Sequence, residues 1–232
     1  MKKDLAFTLA EVLITLGIIG VVAAITIPGL IANYQKRQVA TQLKETYSIM
    51  QQAIKLSEED NGGVDTWDTK LTGKQFYEKY MQNYLKGMNT YTTSELNKIA
   101  PRKLLNNSNY YGTTYNGGNS SHFTLINGAM ITMNLNSSTD IGMWVGIDVN
   151  GISRPNKVGR DTFLFFLSPQ YGLRALGDLG SPKSWSFGRY KRDTIMGSNG
   201  NACAKGKTGY WCTALIIQDG WVISKDYPWN GK

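Results

Sequence analysis

The sequence has few of the residues from which most enzyme and metal sites are built. Its 232 residues include one histidine, His122, and two cysteines, Cys203 and Cys212. The cysteines do not form a Cys-x-x-Cys pair and no histidine lies near them, which argues against a zinc site. A Gly-x-Ser-x-Gly elbow, a phosphate-binding loop and a His-Glu-x-x-His motif are also absent. We therefore predict that the chain is not an enzyme.

Charge is nearly absent from the first part of the chain. Between Phe7 and Ala32 the only formal charge is that of Glu11, and two lysines precede this run. Around 20 apolar residues span a bilayer as a helix, and the apolar core of a secretory signal peptide is shorter, at about 7–15 residues. Preceding positive charge favours a cytoplasmic N-terminus. We predict a transmembrane helix over residues 7–32, with the rest of the chain outside the inner membrane.

Glu11 is the unusual feature of this run. A charged side chain inside a bilayer costs on the order of 2.5–3.5 kcal/mol on insertion scales, and such residues are functional suspects. A plain signal anchor accounts for the length of the run but leaves Glu11 unexplained. That alternative describes a signal-anchored periplasmic binding protein or enzyme with no filament role.

The two cysteines are interpreted from the same topology. Two nearby cysteines in an exported chain usually form a disulfide, whereas two free thiols would be expected in a cytosolic protein. The membrane run argues against the cytosol, so we predict a bond between Cys203 and Cys212. Closing a loop of about ten residues would stabilise the fold by roughly 2.5–3 kcal/mol.

The first residues also follow a specific order. The short charged leader MKKDLA is followed by Phe7-Thr8-Leu9-Ala10-Glu11 and a long apolar stretch that reaches Pro28. This order resembles the leader of type IV pilins and type II secretion pseudopilins. The resemblance implies that a prepilin peptidase removes residues 1–6, cutting between Ala6 and Phe7, and N-methylates the new amine of Phe7. Ala6 departs from the family pattern, which usually has glycine at this position.

The resemblance also gives Glu11 a role. It implies that the carboxylate pairs with the Phe7 amine of the next subunit in a filament. Opposite unit charges about 4 Å apart attract by roughly 4 kcal/mol at an effective dielectric near 20, which is comparable to the cost of burying Glu11. A pair within one chain is the alternative, because residues four apart share a helix face. The resemblance also implies that the helix bends at Pro28 and that a stretch near this proline loses helicity on assembly.

The segment after the anchor has the pattern of an amphipathic helix. Apolar residues recur every three to four positions, at Val39, Leu43, Tyr47, Met50 and Ile54. Asn-Gly-Gly then supplies the C-cap chemistry that ends a helix. We predict that residues 33–60 continue the anchor helix and place this apolar stripe against a globular head.

The head, residues 61–232, has the pattern of a small mixed fold. Helical spacing predicts a second helix near residues 73–87 and a short one that ends near Pro101. Asn127-Gly128 between two apolar runs predicts a hairpin, and "GMWVGIDVNG" and "DTFLFFL" predict two further strands. The fold class is therefore α+β and pilin-like, with the long helix packed on a roughly four-stranded antiparallel sheet. The stretch "TALIIQDGWVI" fits either a helix then a strand, or a hairpin.

One loop of the head could hold a metal. Asp148, Asn150 and Asp161 supply oxygen atoms around a tight turn, and calcium prefers six to eight oxygen ligands. The resemblance points the same way, because major pseudopilins carry calcium in a loop of the head. The alternative is a structured turn whose aspartates cap backbone amides. Calcium is the one cofactor that the sequence suggests.

The function that follows is structural. The resemblance implies a pilin or pseudopilin of a type IV pilus or a type II secretion filament, held in the inner membrane and then assembled. Its implied partners are prepilin peptidase, other copies and related pilins, an inner-membrane assembly platform, and membrane lipid before assembly. The net charge of +8 favours DNA only weakly as a further partner. The head would be periplasmic first and then part of a periplasmic or cell-surface filament.

Overall fold

A computed structural model describes residues 8–68, 70–110, 120–135, 142–178 and 190–229. The chain divides into two compact units, residues 1–38 and 39–232. One helix, α1, extends from Leu9 to Asn61 and contributes to both units. The two units are described separately below.

The described part of the first unit is Thr8 and the beginning of α1. This part of α1 is long and apolar enough to cross a membrane, which confirms the predicted membrane-capable helix. The helix continues through Pro28, although proline lacks the N–H that would bond to the carbonyl one turn earlier. The loss of helicity on assembly at Pro28 therefore stays a prediction.

The second unit contains the remaining elements. Among its described residues, the helices are the last part of α1, a short 3₁₀ turn, a four-residue helix that continues as a π-helical turn, and three further short helices. These are the 3₁₀ turn Val64–Thr66, α2 Gly73–Phe76, the π turn Tyr77–Met81, α3 Thr93–Ile99, α4 Arg192–Ile195 and α5 Cys212–Gln218. The strands are β1 Gly87–Tyr91, β2 Ser121–Leu125, β3 Met130–Leu135, β4 Met143–Asp148, β5 Thr162–Ser168 and β6 Gly172–Ala175.

The strands form one antiparallel sheet with the order β1-β2-β3-β4-β5-β6. The predicted α+β class is confirmed, and the predicted number of four strands is wrong. The sequence missed β1 because its residues are mostly exposed and lack alternation, and β6 because it has only four residues. The predicted hairpin joins β2 to β3, and Gly128 has the positive φ, 85°, that such a tight turn requires.

The second half of α1 packs on this sheet as the apolar stripe predicted. Leu43, Met50 and Ile54 are buried. Tyr47 stacks on Phe165 of β5 with ring centroids 5.4 Å apart, and its hydroxyl donates to the carbonyl of Leu173 at 3.3 Å. These contacts place this half of the helix against the β5–β6 side of the sheet.

The smaller helices differ in part from the prediction. The helix predicted near residues 73–87 is interrupted, because α2 gives way to a π turn and then to β1. The short helix before Pro101 is α3, and Thr92 caps it through a capping box with Glu95. For "TALIIQDGWVI" the structure has a helix, α5, with no strand following it within the described residues.

Candidate functional site

Glu11 lies in the first turn of α1, where its side chain closes the helix. Its Oε2 accepts hydrogen bonds from the backbone N–H and the hydroxyl of Thr8, both at 2.8 Å. The Thr8 hydroxyl in turn accepts from the backbone N–H of Glu11 at 3.3 Å. This reciprocal arrangement is a capping box. Sequence reasoning missed it, although Thr-x-x-Glu before an apolar run is its usual signal.

The other two residues of the predicted processing site lie outside the described residues. These are Ala6 and Phe7, and cleavage between them stays a prediction. Thr8 is the residue that follows Phe7 in the chain, so the Glu11 carboxylate is bonded to the peptide unit next to the predicted new terminus.

The first unit presents an unbroken apolar surface. Its large apolar side chains from Leu9 to Ile31 are between 43% and 78% exposed. Soluble monomers rarely expose contiguous apolar patches larger than a few hundred Å². This surface therefore requires lipid or other protein chains around it.

The three residues of the predicted calcium loop are close together in the structure. Asp148 ends β4 and Asp161 precedes β5, and the N–H of Val149 donates to the Asp161 carbonyl at 2.9 Å. Asn150 donates its backbone N–H to Oδ1 of Asp148 at 3.4 Å and its side-chain amide to the carbonyl of Arg154 at 3.2 Å. The three predicted residues therefore belong to one turn between β4 and β5.

The carboxylate of Asp161 caps the turn. Its Oδ2 accepts from the N–H of Asn156 at 2.8 Å, and its Oδ1 accepts from the N–H of Lys157 at 2.6 Å. These bonds are the aspartate-capped turn that the sequence left open as the alternative to calcium. Among the described residues there is no group of three or more His, Cys, Asp or Glu side chains that could hold a metal ion. Calcium binding stays a hypothesis.

Asp148 has a cationic neighbour that the sequence did not reveal. Its Oδ2 accepts from the hydroxyl of Thr162 at 3.0 Å and lies 3.8 Å from Nη2 of Arg102. Burial, and then the nearby Asp161, raise the pKa of Asp148, while Arg102 and the Thr162 bond lower it. Burial also raises the pKa of Asp161. Arg102 is 47 positions earlier in the sequence than Val149, the residue that follows Asp148. Only the tertiary fold therefore brings Arg102 and Asp148 together.

The single histidine is a packing residue. His122 is buried between the hydroxyls of Thr93, 3.0 Å from Nε2, and Thr132, 2.9 Å from Nδ1. Burial, assisted by the charge of Arg102, lowers the pKa of His122 to about 4.

The predicted disulfide is confirmed. Cys203 and Cys212 are buried and bonded, with their Cα atoms 4.7 Å apart. The loop that they close contacts the segment around Leu105, which donates its N–H to the carbonyl of Thr208 at 3.1 Å. Most of the nearby aromatic side chains are core residues: Trp211, Tyr227 and Trp229 are buried.

Comparison with known proteins defines the class of the chain. Residues 1–27 match the family model described as the prokaryotic N-terminal methylation motif. Over 73 residues the chain is 35% identical to prepilin peptidase-dependent protein D of Escherichia coli (strain K12), a match that covers 32% of this chain. The chain spans about half the length of that relative, 49%. With the apolar helix, these matches show that the chain begins with a type IV pilin-like signal.

The remainder of the chain matches a second model. Residues 29–230 match a family of unknown function, DUF6613, and the chain belongs to that family. No solved structure matches the chain significantly. Together the two models divide the chain near Pro28, into the prepilin-type signal and a segment that contains the rest of α1 and the head.

Proposed function

We propose that this protein is a structural subunit of a type IV pilus or type II secretion filament. Prepilin peptidase cuts between Ala6 and Phe7 and methylates Phe7, and the mature chain waits in the inner membrane with its head in the periplasm. Assembly then replaces lipid around the first unit with other copies. The observation that carries this proposal is the exposed apolar surface from Leu9 to Ile31, which contains one carboxylate.

The mass of the mature chain tests the processing step. The full chain is expressed in a host with prepilin peptidase, extracted from membranes, and measured by intact-mass spectrometry. We expect the loss of residues 1–6 and the addition of one methyl group. An intact leader would contradict the proposal and favour the signal-anchored binding protein or enzyme. Ala6→Gly, which restores the usual family residue, should be processed at least as completely.

Two substitutions at Glu11 separate its charge from its capping role. Glutamine at this position can still complete the capping box, but it carries no charge. Alanine removes both the charge and the cap. We expect Glu11→Gln and Glu11→Ala to be processed normally and to assemble equally poorly, because the carboxylate is needed to pair with an amine. Filaments from Glu11→Gln in normal amounts would show that capping alone is the role of Glu11.

The bonds of Glu11 to Thr8 support the predicted pair within one chain. The carboxylate already reaches the backbone N–H of Thr8, and consecutive Cα atoms are about 3.8 Å apart. Cleavage before Phe7 would create an amine one residue before Thr8, whose N–H the carboxylate accepts from. Assembly would exchange that amine for the amine of the next copy, at a similar electrostatic energy.

A further inference from the structure

Three segments of the second unit carry positive charge and no negative charge. Residues 101–110, 149–160 and 196–212 contain no aspartate or glutamate. Six of their cationic side chains are exposed or half-buried. Five of the six are here called the basic surface: Lys103, Arg154, Lys157, Lys205 and Lys207. None of the five forms an ion pair with a carboxylate of the described residues.

The fold brings these segments together at one end of the sheet. Lys103 donates its N–H to the carbonyl of Asn156 and accepts at its own carbonyl from Val158, both at 2.9 Å. The disulfide loop reaches the same place, because Leu105 bonds to Thr208. The segment 149–160 connects β4 to β5, so the basic surface lies where the two strands pair Asp148 with Thr162.

The opposite end of the same two strands is acidic. The stretch from Glu58 to Asp68 contains five carboxylates and no lysine or arginine, and here it is called the acidic stretch. Within it, Val64 and Trp67 line a small cavity with Met143 and Leu167, which are paired at the other end of β4 and β5. No lysine or arginine of the described residues forms an ion pair with these carboxylates.

The acidic stretch includes an energetically unfavourable feature. The last turn of α1 carries Glu58, Glu59 and Asp60 and no basic residue. The C-terminus of a helix is the negative end of its dipole, where a cation is favoured by about 0.3–1 kcal/mol. The carboxylates therefore stand where the isolated chain would prefer lysine or arginine, and an external cation would relieve the repulsion.

The two surfaces cannot neutralise each other within one chain. From Met143 to Asp148 β4 advances by five residues, or about 17 Å at about 3.3 Å per residue. Opposite charges at opposite ends of one body favour contacts between different surfaces of successive copies, and such contacts do not close into a ring unless the rotation allows it. We propose that the basic surface docks on the acidic stretch of a second copy of this chain.

This docking rests on the proposed filament function and adds to it a contact between heads. The apolar first unit holds copies together without direction, because burial of apolar surface is non-directional. Complementary charges fix register and reject wrong pairings. The contact between the basic surface and the acidic stretch therefore sets the order in which successive heads stack.

Zero-length crosslinking of the full chain tests the contact. Carbodiimide joins lysine amines to carboxylates that touch, and it is applied to membranes and sheared filaments of a host with prepilin peptidase. In the crosslinked dimer band, peptide sequencing should find Lys205 or Lys207 joined to the segment 58–68. Dimers should decrease as NaCl rises to about 0.5 M, where exposed charges are screened. Dimers joined only through other segments would overturn the proposal.

Charge reversal supplies the matched variants. Lys205→Glu with Lys207→Glu, and separately Glu59→Lys with Asp65→Lys, should each lower the crosslinked dimer by about tenfold. The quadruple variant exchanges both signs, keeps the net charge, and should restore the dimer. Lys86→Glu with Lys98→Glu, two exposed lysines outside both surfaces, should change nothing. Loss in the double variants without restoration in the quadruple variant would overturn the contact.

Further results distinguish docking between copies from polyanion binding and from a failure of the proposed filament function. Retention of duplex DNA or of anionic vesicles by the wild-type chain, lost in the Lys205 and Lys207 variant while dimers persist, would assign the basic surface to a polyanion and overturn the docking. An uncut leader would instead contradict the proposed function itself. Cut, methylated chains that assemble in a Glu11-dependent way but never crosslink at these surfaces would overturn the docking alone.

Discussion

The two units of this protein use apolar residues in opposite ways. In residues 8–38 the large apolar side chains point outward along one helix, and in residues 39–229 they form a closed core around a six-stranded sheet. The second unit contains what it needs to fold, while the first is complete only inside lipid or among other chains. Apolar residues therefore form a buried core in one region and an exposed helix surface in the other.

The largest loss of stability should come from a cavity in the core of the second unit. Phe165 is fully buried and stacks on Tyr47, so Phe165→Ala should lower the free energy of unfolding of the head by about 3–5 kcal/mol. Leu16→Ala, at a side chain that is 60% exposed, should change that quantity by less than about 0.5 kcal/mol. Urea unfolding of the full chain in detergent, followed by tryptophan fluorescence, measures both.

The effects of the two substitutions on filament yield should have the opposite order. For any Phe165 variant that stays folded, Leu16→Ala should have the larger effect. If copies assemble through the first unit as proposed, Leu16→Ala removes apolar surface from their contacts, so sheared filament yield should decrease. Equal loss of head stability in the two variants would contradict the claim that only the core of the second unit stabilises the head.

The disulfide should have the next largest effect. Replacing both Cys203 and Cys212 by serine should lower the free energy of unfolding by about 2.5–3 kcal/mol, because the unfolded chain regains the freedom of a short loop. The urea midpoint of the head is the measurement. Wild-type protein treated with reductant serves as the control and should give the same urea midpoint as the double serine variant. An unchanged midpoint in both would contradict a stabilising role.

Acid should weaken the second unit through its buried histidine. The pKa of His122 is about 4 in the folded protein and about 6.5 in an unfolded chain, so the unfolded state binds more protons between these values. Stability therefore decreases as pH falls through this window, by on the order of 2 kcal/mol from about pH 7 to about pH 5. The two buried aspartates, whose pKa values are raised, change stability in the opposite direction.

His122→Gln isolates the contribution of the histidine. Both proteins keep the aspartates, so the difference between their stability–pH curves reports His122 alone. The difference should be largest near pH 7 and shrink toward about pH 4, where His122 is half protonated in the folded state. Parallel curves across this range would show that His122 does not titrate as its burial requires.

Calcium should have the smallest effect. The oxygens of Asp161 already accept two backbone hydrogen bonds, so a cation would have to displace donors that hold the turn. We expect millimolar calcium to shift the thermal midpoint of the full chain by less than about 1 °C. Saturable heat in isothermal titration, with a stabilisation that Asp161→Asn abolishes, would instead make calcium a cofactor of this protein.

The sequence predicted what depends on local periodicity and on the composition of single segments. The apolar run, the stripe through Leu43 and Met50, and the hairpin at Gly128 each carry their signal within a few residues. The class of the N-terminus was equally local, because the leader and Glu11 form a continuous motif. These features could be predicted without knowing which segments meet in space.

The remaining features depend on contacts between distant segments. The pairing of Arg102 with Asp148 and the burial of His122 have no local signal, because both follow from the packing of loops on the sheet. Strand β1 escaped prediction for a related reason: an exposed edge strand has no buried face to impose alternation. The basic surface was visible only as scattered lysines until the fold placed three segments side by side.

The disulfide also has a consequence for timing. It closes the loop that carries Lys205 and Lys207, and this loop bonds through Thr208 to Leu105, in the segment that carries Lys103. Disulfides form in oxidising compartments and are rare where thiols are kept reduced. If heads pair as proposed, a copy whose loop is still reduced presents an incomplete docking face. The bond then acts as a checkpoint, because only chains that have reached the oxidising side of the membrane are ready to join a neighbour.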